Sequence, residues 1–503
     1  MNLFSLFKSK PKEEIKPEVK IVEKIIYQKS FNSAKIDRLN EDFLVAIARI
    51  NEDIRNSLSN LRGRSRTSAQ NNDYYIRYLD LYTSYLIGAQ GFTLVCKGKD
   101  NNGEIDRSGN KAVEKGWKDF GKKTSFSRNK RETFFSFQYR AAYTFARDGE
   151  VFVRIHKGKS AKNKYGISYS FIDADYLDES YNVESSSMRN GNRICQGIEL
   201  DMFDTVVGYW FTEVPETINN YGTVPKGGIK SFVPADEIIH WYNKVQMNQY
   251  RGFPPGQNLL ISLHGLSELN ESEMVSFRAA SCKMGFKQQK FPSEEAIDFV
   301  GGADNRDYDE LQPGVIEKLG YNEEFIGFNP DHKSGNWETF SKGILRSASS
   351  GCGFPYALIS NDYEGLSGDA VRVMILDARE YAIGKQNLMK DELIDPIYES
   401  AYPYFFFSVS LPYNKIDKFS DHDFRGRAFQ ALRPLEEANA MKILWDCGGD
   451  SRTDYMRTLN KDIDDIFSEL GYEEELSVFY GIPLRNQGGY SELNMPSKGE
   501  PKK

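Results

Sequence analysis

Cysteine and histidine are scarce in this chain, and long apolar runs are missing. The five cysteines, Cys96, Cys195, Cys282, Cys352 and Cys447, are widely spaced and form no C-x-x-C, which argues against a zinc ribbon and against a disulfide framework. His156 and His240 sit on or beside strand-like runs with no second histidine at ligand spacing, so each is expected as a lone hydrogen-bonded side chain and no metal site is expected. The longest apolar run, Tyr402 to Pro412, is about half of the ~20 residues needed to span a bilayer. Met1 to Phe7 is partly apolar without a long apolar core, so the expectation is a soluble intracellular protein with no signal peptide and no membrane contact. Charge of one sign is lacking too. A net charge of -7 over 503 residues gives no general affinity for polyanions, and any contact with nucleic acid has to be local or loose.

What is present suffices for a folded protein. A hydrophobic content of 40% with 13% aromatic residues argues against global disorder, and 503 residues favour two to four subdomains over a single core. Residues 8 to 24 hold six lysines, four glutamates and two prolines, the composition of a flexible arm. Ile36 to Leu61 and Asn71 to Gly88 carry apolar residues at helical period. Around their junction Arg55, Arg62, Arg64 and Arg66 occur with no acid from Ile54 to Asn72, which predicts a solvated helix end or a contact to phosphate or a partner. Strand-like runs follow at Glu150 to Ile155, Gly166 to Ile172, Gly197 to Leu200 and Val206 to Thr212, defining a β-rich part. The acids Asp173, Asp175 and Asp178 among them are expected at the surface.

The chain is organised around Asn336 to Pro396. Trp337, Phe340, Ile344 and Ala348 recur at three- and four-residue spacing, with Glu338, Lys342 and Arg346 four apart on another face. Gly351-Cys352-Gly353-Phe354-Pro355 must end that helix. After a polar loop, Asn361 to Gly368, a second helix starts with Ser367 or Asp369 as N-cap and is expected to stop at Pro396. A third, Gln257 to Phe291, has Leu259, Leu263, Leu266, Met274, Phe277 and Met284 on one face and Pro292 at its end. Between the third helix and the first lies a small unit, Ser293 to Pro330, with acids at Asp304, Asp307, Asp309 and Glu310 and short strands expected around Val315 to Leu319 and Phe325 to Phe328. Further helices are expected from Pro434 to Gly448 and from Asp450 to Leu470, before a polar tail from Arg485.

One motif invites an enzymatic reading: Gly116-Trp117-Lys118-Asp119-Phe120-Gly121-Lys122-Lys123-Thr124. A phosphate loop needs G-x-x-x-x-G-K followed at once by Ser or Thr, because that hydroxyl holds magnesium, and a buried strand must precede it. Here Lys123 occupies the hydroxyl position and the preceding residues, Asn110 to Glu114, read as polar helix. A P-loop-like nucleotide-binding enzyme is therefore the alternative reading. No catalytic constellation and no cofactor site is expected elsewhere.

Several segments in order resemble the lambda-type portal proteins of tailed bacteriophages: Leu61-Arg62-Gly63-Arg64-Ser65-Arg66 with Asn71-Asn72, Asp148-Gly149-Glu150-Val151-Phe152-Val153, Gly197-Ile198-Glu199-Leu200-Asp201, and Gln249-Tyr250-Arg251-Gly252-Phe253-Pro254. Further on come Gln312-Pro313-Gly314, Ile344-Leu345-Arg346, Gly353-Phe354-Pro355-Tyr356 and Arg433-Pro434-Leu435-Glu436-Glu437-Ala438. The chain departs from the family where the loop before the second helix usually reads like Asn-Tyr-Ser-Ser, since it has Leu366-Ser367-Gly368-Asp369.

The resemblance implies a mixed α/β portal fold with wing, stem, clip and crown, assembled as a ring, commonly a dodecamer, whose long helices surround a central channel for double-stranded DNA. Its implied parts are a flexible arm (1–35), a helical wing (36–95), a β-rich wing (96–256), a first stem helix (257–291), a clip (292–333) and a second stem helix (334–353). A tunnel loop with the long wing helix (354–396), a return of the wing (397–447), crown helices (448–484) and a disordered tail (485–503) complete it. Lys342, Arg346, Asn361, Asp362, Glu364 and Ser367 are then the candidates to face DNA, although Lys342 and Arg346 can equally pair with Glu338 or a neighbouring subunit. Asp304, Asp307, Asp309 and Glu310 are candidates for docking a partner at the clip, and Leu263, Phe277, Trp337 and Phe340 for packing between subunits. The implied partners are other copies of the chain, the large terminase subunit, head–tail connector or adaptor proteins, and major capsid and scaffolding proteins. The implied location is the portal vertex of the virion, with host cytoplasm during assembly.

Overall fold

The computed structural model describes residues 49–100, 102–103, 105–188, 191–212, 228–281, 285–289, 323–327, 335–409, 411–458 and 463–480. The chain divides into two compact units, Met1–Arg49 and Ile50–Lys503, and the elements below belong to the second. It is mixed α/β, and its first helix shows how the arginine-rich stretch is used. Helix α1, Ile50–Asn71, buries Ile54, Leu58, Arg62 and Ser65 along one face, so the apolar stripe continues through the arginines at helical spacing. That corrects the expected helix end near Leu61. Helix α2, Asp73–Ile87, starts where the Asn72 side chain accepts the Tyr75 N–H at 3.0 Å, and it buries the expected stripe of Tyr75, Tyr78, Leu79, Tyr82 and Leu86.

Strand β1, Thr93–Cys96, leads to helix α3, Arg107–Phe120, and helix α4, Phe134–Asp148. Thr133 and Ser136 cap α4 reciprocally, and Gly149 ends it at a φ of +84°. Gly149 is needed twice over. Any Cβ there would lie 2.0 Å from the Phe253 carbonyl carbon, and one on Gly252 would lie 2.1 Å from the Gly149 oxygen, so the two backbones cross at a distance only glycines permit.

Strand β2, Glu150–Lys157, follows at once, then β3, Ile167–Ile172; β4, Arg193–Cys195; β5, Ile198–Leu200; β6, Val206–Thr212; β7, Lys230–Pro234; and β8, Ile238–Tyr242. β2 is the middle of the antiparallel sheet β3-β2-β8, while β4-β5-β6-β7 form a second sheet. Because strand side chains alternate, Val151, Val153 and Ile155 of β2 enter the large core with α2 and α4, whereas Phe152 enters a smaller one with Leu177, Leu200, Phe211 and Val233. One strand thus joins two cores.

Helix α5 spans Gln257–Ser281, at ~1.5 Å per residue roughly 38 Å, and not the expected run to Phe291. Residues 285–289 are instead strand β9, Gly285–Gln289, antiparallel to β10, Glu323–Gly327, with Phe286 opposite Ile326. A strand whose partner lies far along the chain is invisible to local periodicity. Helix α6, Gly335–Ser350, matches expectation, and it packs along α5. Helix α7, Tyr356–Ser360, precedes α8, Gly368–Met389, whose N-cap is Ser367.

The long helix does not end at Pro396. A π-helical turn, Lys390–Ile394, carries it into α9, Asp395–Phe406, with Pro396 in the first turn of α9. The wider turn accommodates a ring that would clash in a regular helix, at the loss of the one helical hydrogen bond that proline cannot donate. The aromatic cluster Tyr402 to Phe407 therefore lies on and just past a helix, where Phe405 packs on Trp117, Phe120 and Tyr398. Strand β11, His422–Arg425, returns to pair with β1, Leu94 opposite Phe424. Helix α10, Pro434–Asp446, has its expected proline start. The expected single helix from Asp450 appears as α11, Arg452–Thr458, and α12, Ile463–Tyr480, with 459–462 outside the described residues. The arm at 8–24, the strand expected at Val315 to Leu319 and the tail from Arg485 also lie outside them.

Candidate channel loop and buried ionic centre

The loop expected to face DNA is held by aromatic packing on one side and a small charge cluster on the other. Gly353, at a φ of +80°, lets the chain turn under the Tyr381 ring, 2.5 Å from where a Cβ would stand. Phe354 then enters a pocket of rings, edge-on to Tyr78, Tyr82, Tyr85 and Tyr381 at 5.4–6.4 Å. This fixes the base of the Gly353-Phe354-Pro355-Tyr356 segment.

Above it, the six channel candidates separate. Lys342 lies 2.6 Å from Glu338, 3.3 Å from Asp362 and 3.8 Å from Glu364. Its ammonium is pushed above the usual lysine range, first by the hydrogen bond to Glu338 and then by Asp362. Asp362 is lowered, first by the Tyr356 hydroxyl that donates to it at 2.5 Å, then by the Glu364 N–H and Lys342. Arg346 sits over the Tyr356 ring at 5.4 Å. Asn361, in left-handed backbone, accepts from Arg77, whose Nε also donates to the Leu358 carbonyl. Ser367 serves as the cap of α8, accepting the Ala370 N–H at 3.2 Å. Lys342, Asp362 and Glu364 are thus brought together, and Glu338 pairing is realised. Arg77 and Tyr356, which hold the loop, carried no sequence signal of that role.

The packing candidates also divide. Leu263, expected between subunits, is 2% exposed inside the chain's own core with Leu259 and Leu266, and α1, α2 and α6 pack against α5. Phe277 at 54%, Trp337 at 41% and Phe340 at 59% remain exposed on α5 and α6. Asp304, Asp307, Asp309 and Glu310 lie outside the described residues.

Three of the family-like segments converge on one carboxylate. Glu150 receives Arg62 at 2.6 Å, Arg251 through two nitrogens at 2.6 and 2.9 Å, and the Gly252 N–H at 3.2 Å. Burial alone would raise its pKa, but Arg251, with His240 and Arg62, holds the carboxyl far below the usual range. Arg251 also donates to the Leu177 and Gln196 carbonyls. One turn along α1, Arg66 pairs with Asp148, Asp173 and Asp175, and Arg62 reaches Asp175 as well. This corrects one expectation, since Arg62 is not a solvated helix end; Asp173 and Asp175 do lie at the surface, where Asp173 pairs with Arg66 and Asp175 with both arginines. Asp178 is buried and paired with Lys230 at 2.6 Å. The helical spacing of Arg62 and Arg66 aims both at acids more than eighty residues away, which no local pattern discloses. His240 and His156 are single hydrogen-bonded histidines, the first on Glu150 and the second on Ser170 and Arg128.

The phosphate-loop-like motif has the wrong geometry. Gly116 to Phe120 lie inside α3, so their N–H groups belong to the helix, and Lys122 pairs with Asp119 at 2.6 Å. Among the described residues no three His, Cys, Asp or Glu side chains are grouped to hold a metal, and no helix is long and apolar enough to cross a membrane.

The family model for phage portal proteins of the lambda family matches residues 37–386. The chain belongs to that family. A relative, the "Probable portal protein" of Halomonas phage phiHAP-1, is 26% identical over 431 residues, covering 84% of this chain and 81% of the relative. Among solved structures, the neck of an empty gene transfer agent particle covers 80% of this chain and 93% of its own, at 11% identity and a TM-score of 0.43. An HK97-family phage portal protein from Corynebacterium diphtheriae covers 75% of this chain and 96% of its own, at 11% identity and a TM-score of 0.32. At those scores the two structural likenesses carry no argument.

Proposed function

We propose that the chain assembles as a ring, commonly twelve copies, at one vertex of a phage capsid, where it forms a conduit for double-stranded DNA and a platform for the packaging motor and the head–tail connectors, without chemistry of its own. Membership of the lambda portal family supports the class. The observation that carries assembly is the exposed apolar side chains Phe277, Trp337 and Phe340 on the paired helices α5 and α6, with Val373 and Leu376 on α8. A lone soluble chain gains nothing from such faces, and a ring covers them between copies.

In this reading α5 and α6 are the stem, 292–333 the clip, 354–368 the tunnel loop, α8 the long wing helix and the helices after Gly448 the crown. A passage must let DNA slide, and each neutralised phosphate adds affinity. Lys342 surrounded by Glu338, Asp362 and Glu364 suits that need, because the acids offset the cation that would otherwise grip a phosphate. Deleting Glu364 to Gly368 is the test: rings and procapsids form normally, and completion or retention of packaged DNA falls. Particles with normal amounts of stably held DNA would remove this loop from the channel. The acids Asp304, Asp307, Asp309 and Glu310 are assigned to docking the large terminase. Their charge reversal is expected to weaken capture of terminase in a pull-down while rings persist, and unaltered capture would exclude them from that interface.

A further inference from the structure

The residues of the rejected nucleotide motif have another neighbourhood. Lys122 and Thr124, just after α3, line a cavity of about 650 Å³ together with Lys130, Lys162 and Lys164 from two other loops, with Asp119 the one acid in its lining. The four lysines are all exposed. Lys122 is held by Asp119 at 2.6 Å. Lys164 sits 4.7 Å from the Tyr165 ring, and Lys130 and Lys162 make no ion pair among the described residues. The cavity therefore carries a surplus of positive charge in a protein whose net charge is -7.

The loops that present these lysines are built rigidly. Lys130 and Lys162 both have left-handed backbone, φ of +56° and +55°, a conformation that costs a lysine free energy and persists only where its surroundings impose it. Asn163 imposes it on one side: its amide donates to the Ser125 and Ile167 carbonyls and its oxygen accepts the Tyr165 and Gly166 N–H groups. On the other, Lys130 N–H bonds the Ser127 carbonyl, and Asn129 accepts from Ser127 and Arg131. Like charges fixed together repel, and an anion in the cavity relieves that repulsion.

The chemistry of the lining selects the anion. It contains no aromatic ring to stack a base, and the Asn163 amide is saturated, so bases cannot be read. No apolar anchor is present for a folded peptide. Lysines acting as point charges gain most from a duplex, whose dense phosphates release condensed counterions. We propose that Lys130, Lys162 and Lys164 form a sequence-independent docking site for the phosphodiester backbone of double-stranded DNA, built from residues other than those of the loop at 361–367. The inference shares only its partner with the conduit reading, and ring formation, read by sedimentation, tests that reading separately.

The test is binding of the full chain to a short labelled duplex over a series of salt concentrations. The variant combines Lys130→Asn and Lys162→Asn, since asparagine tolerates left-handed backbone, with Lys164→Gln; unchanged circular dichroism and sedimentation establish that it folds. Loss of three phosphate contacts lowers the slope of log affinity against log salt by about 2.7, equally for duplexes of unrelated sequence. Lys122→Ala, whose ammonium Asp119 already holds, lowers it by less than the about 0.9 of a full contact. An unchanged slope in the triple variant, or no binding by the unaltered chain at low salt, overturns the proposal. Binding of polyglutamate as tight as that of the duplex, with the same loss in the variant, overturns the DNA assignment in favour of an acidic protein segment.

Discussion

Arg251 donates through Nε and Nη2 to Glu150, and both side chains are fully buried. The pair is the meeting point of segments separated by about a hundred residues, and Arg62 closes it from α1. A buried pair is weak by comparison with an apolar substitute, but breaking it from one side leaves an uncompensated charge.

Glu150→Gln therefore leaves Arg251 buried without an anion, while Arg62 keeps Asp175, and is expected to destabilise the fold by about 3–5 kcal/mol. Arg433→Ala, which removes an exposed, solvent-screened pair with Glu436 and Asp369, is expected to leave stability nearly unchanged. Chemical denaturation of both variants measures this. Equal and small effects would show that Glu150 is dispensable.

Acid is expected to act in two windows. Burial, with Arg128 and Arg154 nearby, lowers His156 from 6.5 to about 4. The unfolded chain thus binds the extra proton first, and stability falls as pH drops from 6.5 toward 4. Glu150 is depressed from 4.5, so its contribution is full above that value and is lost as pH falls below it toward the folded pKa. Buried His240 is lowered from the same value and shares the first window, so His156→Gln is expected to reduce the slope there and leave the second window. A denaturation series across pH that keeps the upper slope in this variant would assign it to another group.

Leu263 and Phe277 separate folding from assembly. Leu263→Asp puts an unpaired carboxylate in the chain's own core and is expected to cost several kcal/mol and lower the melting temperature of the chain itself. Phe277→Asp, on an exposed face, is expected to spare the fold and prevent rings. Sedimentation beside thermal melting distinguishes the two, and intact rings with Phe277→Asp would remove that face from the subunit interface.

Lys342→Ala releases Asp362 and Glu364 from α6 while Arg77 and Tyr356 keep their hold on Asn361 and Asp362. Faster amide exchange over Tyr363 to Leu366 is expected, with a milder loss of packaged DNA than the loop deletion gives. Unchanged exchange would show that Asp362 and Glu364 do not depend on this lysine for their position.

Local patterns in the sequence located α2, α6, α8 and α10, because each has an apolar stripe of helical period, and α2, α8 and α10 also have a capping residue or a proline start. They failed where a distant partner decides. The β9–β10 ladder needs residues on both sides of an insertion, and the helix through Pro396 depends on a π turn. At the candidate loop the sequence offered Lys342 with Glu338, a contact along one helix, but not Arg77 reaching Asn361 from α2. The arginines of α1 were conspicuous by charge alone. Their role became visible only with Glu150, Asp148 and Asp175 beside them.

The central claim is assembly around a hole. Negative-stain imaging of the purified full chain, with sedimentation velocity on the same sample, tests it most directly. Annular particles with a central opening and a mass of many copies are the predicted result; a monodisperse monomer at every concentration, with Phe277, Trp337 and Phe340 left in solvent, would contradict it.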